Sequence, residues 1–185
     1  MARDWTLPWF SPYPTAALGY AYALSSRGAE GVALLQDALA ALEATGLGHN
    51  SLLLLAQLGE AYLLTSRSGE ALSSAGRALT LARQRGERGH EAWALRLLGE
   101  IGAQQDPPDA ANAEEHYREA MALAEELGMR PLVAHCHLGL GKLFRKLGRA
   151  DAARAELSTA VEMLRSMEMT VWLPEAEAEL ANTGR

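Results

Sequence analysis

The chain has one cysteine, Cys136, in 185 residues. That excludes an intrachain disulfide framework and fits a reducing compartment. Long apolar runs are missing: "LLLLA" at 52–56 falls far short of the ~20 residues a membrane span needs. A surplus of positive charge is also missing. Seventeen Lys and Arg against 23 Asp and Glu leave a formal charge of −6, which argues against a dedicated nucleic-acid surface. Proline is scarce, and Pro8, Pro12 and Pro14 crowd into "MARDWTLPWFSPYP", where with Asp4 they break any run that would read as a signal peptide. The hydrophobic share of 49% is enough for a core, so disorder is not expected. These limits predict a soluble, cytoplasmic chain of single-domain size.

What is present is a repeat. The segments "LGYAYALSSRGAEGVALLQDAL", "LGEAYLLTSRSGEALSSAGRAL", "LGEIGAQQDPPDAANAEEHYREAM" and "LGKLFRKLGRADAARAELSTAV" superpose. Their leading Leu-Gly pairs place Gly19, Gly59, Gly99 and Gly141 at intervals of 40, 40 and 42. An alanine follows each glycine, at Ala38, Ala78, Ala120 and Ala160, 19 residues later in three repeats and 21 in the third. Pro107-Pro108 is the simplest location for the two extra residues. Apolar residues recur at helical spacing, as in Leu54, Leu55, Leu58 and Tyr62, then Leu72, Ala75 and Leu79, with the polar turn "TSRSGE" between them. Gly46, Gly86 and Gly128 suit the left-handed residue that ends a helix, while Pro131 and Pro174 suit a first helical turn. The pattern predicts an all-α chain of eight helices in four antiparallel pairs, with a ninth helix after Thr170 and no strand. Two helices joined by a short turn approach closely only where one side of the crossing is small, which explains Gly59 opposite Ala71 and Ala78. A mid-helix glycine costs ~1 kcal/mol against alanine, so close packing must offset it.

These residues resemble the tetratricopeptide-repeat family, whose pattern is Leu-Gly, an aromatic three residues after the glycine, then small residues on the second helix. The aromatic is Tyr22, Tyr62 and Phe144, and the third repeat departs with Gly102. The small pairs are Gly31 and Ala38, Ala71 and Ala78, Ala113 and Ala120, Ala153 and Ala160. A period near 40 in place of the usual 34 implies helices about one turn longer. HEAT and armadillo repeats have similar periods but lack this paired spacing. The resemblance implies a right-handed superhelical α-solenoid. Its expected layout is an extended aromatic segment over 1–12, repeats near 13–48, 49–88, 89–130 and 131–168, and a capping helix over 170–183. More narrowly, "RGERGHEAWALRLLGEI", "EELGMRPLVAHCHLGLGKLFRKLGR" and "STAVEMLRSMEM" are similar to the C-terminal repeat regions of large bacterial signalling ATPases and adenylate- or guanylate-cyclase-type proteins. That implies a severed or stand-alone sensor or scaffold array. It does not imply ATPase or cyclase activity, since no nucleotide-handling domain is in the sequence.

No stretch carries catalytic chemistry. "GLGKLF" has Cys136 and Leu143 where a phosphate loop needs glycine and Ser/Thr, and its periodicity is helical. His135 and His137 in "HCH" point about 200° apart on a helix and cannot share one ion. His90-Glu91 lacks a second histidine four residues on, and there is no Gly-x-Ser-x-Gly elbow. The carboxylates of "AEEHYREAMALAEEL" read as one solvated helix face. The expectation is a chain that is not an enzyme and needs no cofactor or metal.

The resemblance implies that first helices line a concave groove. Positions six and three before each glycine, and one and four after it, form the stripe that would face it. From that stripe the predicted contact residues are Tyr13, Tyr20, Glu60, Trp93, Arg96, Glu100, His135, Lys142 and Arg145. The stripe grades from aromatic through mixed to basic, so its Lys142 and Arg145 end suits an acidic segment of a partner. Asn50 and Asn112 fall off the stripe, which disfavours the carboxylate clamp of chaperone-binding relatives. The expected partner is a protein or peptide, with no nucleic acid and no membrane. A weak homodimer through Trp5, Trp9 and Phe10 is also expected, with fold-back of that segment over the first helix pair as the competing outcome.

Overall fold

The computed structural model describes residues 12–44 and 51–184. Gly46 and the aromatic segment with Trp5, Trp9 and Phe10, and with it the expected dimer contact, lie outside the described residues. Among the described residues all regular structure is helical. The helices are α1 (Pro12–Ala23), α2 (Gly28–Ala44), α3 (Ser51–Leu64), α4 (Ser68–Arg85), α5 (Arg88–Gln104), α6 (Ala110–Glu126), α7 (Arg130–Lys146), α8 (Ala150–Ser166) and α9 (Leu173–Ala181), the last running into a short 3-10 turn at Asn182–Gly184. The chain divides into two compact units, Met1–Gly86 and Glu87–Arg185. In the first, α1 and α2 form one hairpin and α3 and α4 another, with α2 packed on α3 and α1 beside α3. In the second, α5 pairs with α6 and α7 with α8. There α6 packs on α7 and α8 on α9, while the first helices α5, α7 and α9 lie in sequence beside one another.

The recurrent glycine sits where two helices nearly touch. A Cβ on Gly19 would lie 3.0 Å from the Gly31 carbonyl and from Leu34 Cβ; on Gly99, 2.9 Å from the Tyr117 ring; on Gly141, 2.4 Å from Leu157. All three contacts are with the second helix of the same hairpin. That helix answers with small residues: Ala71, Ala113, Ala120, Ala153 and Ala160 are completely buried and Ala78 nearly so. Repeat three lacks the first-helix ring at Gly102. Its aromatic stands on the second helix instead, as the fully buried Tyr117.

The turns carry a device of their own. An arginine eight residues after the glycine lies over the repeat's aromatic ring: Arg27 at 3.6 Å from Tyr22, Arg67 at 4.6 Å from Tyr62, and Arg149 at 4.1 Å from Phe144. Two of these arginines also bond the glutamate of the next turn, Arg27 with Glu30 at 2.9 Å and Arg67 with Glu70 at 2.7 Å. Repeat three has Gly102 and Pro107 at those two places. Its turn runs over 105–109, against 65–67 and 147–149 in the neighbouring hairpins, so the inserted pair does lie in the turn. Lys146 closes it from α7, donating to the carbonyls of Ala103 (3.2 Å) and Gln105 (2.8 Å).

Helix ends follow the sequence signals. Gly86 and Gly128 have φ of 68° and terminate α4 and α6, and Pro131 and Pro174 stand in the first turns of α7 and α9. After α8 the left-handed place falls to Glu168, with φ 55°.

Candidate functional site

In the first unit, Tyr20 on α1 donates its hydroxyl hydrogen bond to the Glu60 carboxylate on α3. These residues hold equivalent positions in successive repeats, so the bond runs along the first-helix face. Tyr13 is half-buried about two turns earlier on α1. Ala16, Ala23, Ala56 and Leu63 on the same stripe are buried and serve packing, while Leu53 is 49% exposed.

The second unit gathers the remaining six predicted residues. Arg96 on α5 is 7% exposed. A guanidinium at that depth must be paired, because an uncompensated buried charge is strongly destabilising. Glu100, one turn on, supplies the carboxylate at 2.7 Å, and the Trp93 ring lies 5.0 Å from the guanidinium. Arg96 is therefore a buried, paired group. On α7, His135 meets the edge of Trp172 at a ring distance of 5.0 Å. Burial, helped by the charge of Arg96, pulls the His135 pKa down to about 4, so the ring is neutral at pH 7. Trp93 packs beside Ala92, Ala124, Leu132 and Val133.

The basic end of the stripe is not bare. Lys142 pairs with Glu175 at 2.8 Å and Arg145 with Glu179 at 2.7 Å, both carboxylates belonging to α9. Burial pulls the Lys142 amine down, but Glu175, assisted by Glu100 and Glu179, outweighs it and leaves the pKa raised. Arg96, Glu100, Lys142, Glu175, Arg145 and Glu179 thus make a charge-balanced row where α5, α7 and α9 lie side by side. The four-repeat stripe does not contain Glu175, Glu179 or Trp172, because the repeat pattern reads α9 as a cap. One signal was available: Leu180-Ala181 falls 40 residues after Leu140-Gly141, so α9 stands in the register of a fifth first helix.

Other stretches behave as packing. Residues 139–144 lie within α7. Cys136 is fully buried, and desolvation pushes its thiol up to about 12, far from a nucleophile's range. His137 points away from His135, its Nδ1 lying 2.6 Å from the Glu156 carboxylate on α8. Among the described residues no cluster of three His, Cys, Asp or Glu is placed to hold a metal ion, and no helix is long and apolar enough to cross a membrane.

Residues 109–166, the stretch from α6 to α8, match the tetratricopeptide-repeat family model. The fold is a tetratricopeptide-repeat α-solenoid. Solved structures agree. The chain is similar to a Signal Transduction ATPase with Numerous Domains protein with a tetratricopeptide repeat sensor from Pyrococcus horikoshii, with TM-score 0.74 and 18% identity, over 97% of this chain and 28% of that one. It is also similar to the nearly identical TPR-like repeats of a putative kinesin light chain from Podosopora anserina. The TM-score is 0.68 at 18% identity, over 96% of this chain and 87% of that one. A point-substituted form of those same repeats gives 0.68 at 17%, over 94% and 84%. Identities this low carry the fold alone. No curated protein matches the chain.

Proposed function

We propose that the chain is a non-catalytic, cytoplasmic interaction module that binds a protein or peptide along the first-helix face of its repeats. Tetratricopeptide repeats serve generally as protein-interaction modules. The observation that carries the assignment to this face is the gathering of Trp93, Arg96, Glu100, His135, Lys142 and Arg145 along α5 and α7 of one unit. Rings and paired charges are the side chains that anchor and orient a polypeptide. Tyr13, Tyr20 and Glu60 form the equivalent face of the first unit.

Site-specific photocrosslinking in the producing cell tests this reading. A benzophenone amino acid at Trp93 is expected to trap a discrete protein, and the same probe at Glu115 on α6 or Arg154 on α8 is expected to trap none. Adducts from α6 and α8 alone would overturn it.

A second reading makes the array a ligand-sensing regulatory arm of a larger nucleotide-handling signalling protein. The likeness to the repeat sensor of a signalling ATPase, over 28% of that chain's length, favours it. A small molecule that raises the melting temperature of the isolated chain, with no protein adduct at Trp93, would select this reading.

A further inference from the structure

We propose that α9 is a built-in occupant of the basic end of the first-helix face, and that the partner this end fits is an acidic amphipathic helix that replaces it. The proposal rests on the interaction reading above and adds the partner's chemistry and a regulatory step. Three observations lead to it. The polar contacts of α9 are charge pairs with complementary residues of the unit: Glu175 with Lys142, Glu179 with Arg145 and Glu177 with Arg165 at 2.7 Å. Its apolar side is a small ridge of Leu173, Ala176 and Leu180, packed on the cluster of Leu138, Leu157, Val161 and Leu164. The hold is slight. Of nine residues only Ala176 is fully buried, whereas α7 buries nine of its seventeen.

A helix of that length does not persist alone in water, and exposed ion pairs are weakened by salt. The turn before it leaves Val171 75% exposed, and Trp172, although its ring meets that of His135, 41% exposed. Such an element opens far more readily than the hairpins beneath it. What takes its place must present the same pattern: carboxylates four residues apart and apolar residues at i, i+3 and i+7, as Glu175, Glu179 and Leu173, Ala176, Leu180 do.

The test uses the full chain and a fluorescein-labelled synthetic peptide of residues 170–184. In the double variant Glu175→Lys, Glu179→Lys, charge reversal is expected to expel α9, seen as faster hydrogen exchange over 173–181 with the helical circular dichroism of α1 to α8 retained. That variant should bind the peptide at least tenfold more tightly than the native chain, with affinity falling as salt rises. Adding Lys142→Glu and Arg145→Glu should abolish peptide binding and restore slow exchange in α9, because the swapped charges reseat it. Equal peptide affinity in the native chain and the double variant would overturn the proposal, as would an α9 that stays protected after charge reversal. A native chain that sediments as a dimer with exchanged α9 would assign the site to a second copy and overturn it too. Loss of the Trp93 crosslink with peptide exchange intact would count against the broader face alone.

Discussion

Replacing Gly31 and Gly76 by alanine in separate chains should change stability in opposite directions. Both glycines are helical, in α2 and α4, and both lie in the first unit. Each substitution recovers ~1 kcal/mol of helix propensity. At Gly76 nothing lies within 4 Å of the added Cβ, so that gain is expected in full. At Gly31 the Cβ would lie 2.5 Å from the Ala23 nitrogen, 2.5 Å from the Gly19 carbonyl oxygen and 2.9 Å from Ala23 Cα. All three are backbone atoms of α1, so no rotamer change relieves the clash and the hairpin must spread. Overpacking costs about 1–3 kcal/mol, and a clash with unyielding backbone belongs in the upper part of that range, ~2–3 kcal/mol, which exceeds the propensity gain. Urea unfolding followed by circular dichroism should show Gly31→Ala destabilised by roughly 1–2 kcal/mol and Gly76→Ala stabilised by up to ~1 kcal/mol. A Gly31→Ala chain as stable as the native one would refute the close-approach account of the repeated small residues.

Glu168, in the left-handed region at φ 55°, holds the place that Gly86 and Gly128 hold after α4 and α6. Glu168→Gly should therefore stabilise the chain by about 1 kcal/mol in the same assay, and a loss of stability would show that the Glu168 side chain matters more than its backbone. His135 should make the chain acid-sensitive. The unfolded ring protonates below pH ~6.5 and the folded ring only near pH 4, so stability falls as pH drops between those values, by up to about 3 kcal/mol. His135→Leu should remove that part of the slope, as read from urea unfolding at pH 7 and pH 4.5, and an unchanged slope would reject the buried neutral ring. Cys136, fully buried with its thiol pushed up to about 12, should resist a thiol reagent in the folded chain and react fully in denaturant. Rapid labelling of the native chain would contradict its place in the core.

The hairpins were legible because they rest on local, periodic requirements. A helix crossing needs a small residue at a fixed distance from its turn, so Gly19, Gly59, Gly99 and Gly141 recur, and turn chemistry marks Gly86, Pro131 and Pro174. Arg27, Arg67 and Arg149 recur with equal regularity, but the contact of each with a ring five residues earlier depends on how the turn closes. The third repeat hides the rule by losing ring and arginine together. The candidate face was legible as a set of positions and illegible as an electrostatic surface. Arg96 carries the residue type of a solvated surface, and only Glu100 four residues on hints that it is buried in a pair. Lys142 and Glu175 meet across 33 residues of chain, a tertiary pairing with no periodic trace. The same letter also met different surroundings: Leu58, Leu98 and Leu140 are buried while Leu18 is 47% exposed.

The central claim, that the first helices of the repeats carry the binding face, is tested most directly by hydrogen exchange on the full chain with the photocrosslinked partner added. The account predicts added protection over residues 93–100 of α5 and 135–145 of α7, with α6 and α8 unchanged. Protection confined to α4, α6 and α8, with α5 and α7 exchanging as in the free chain, would contradict it.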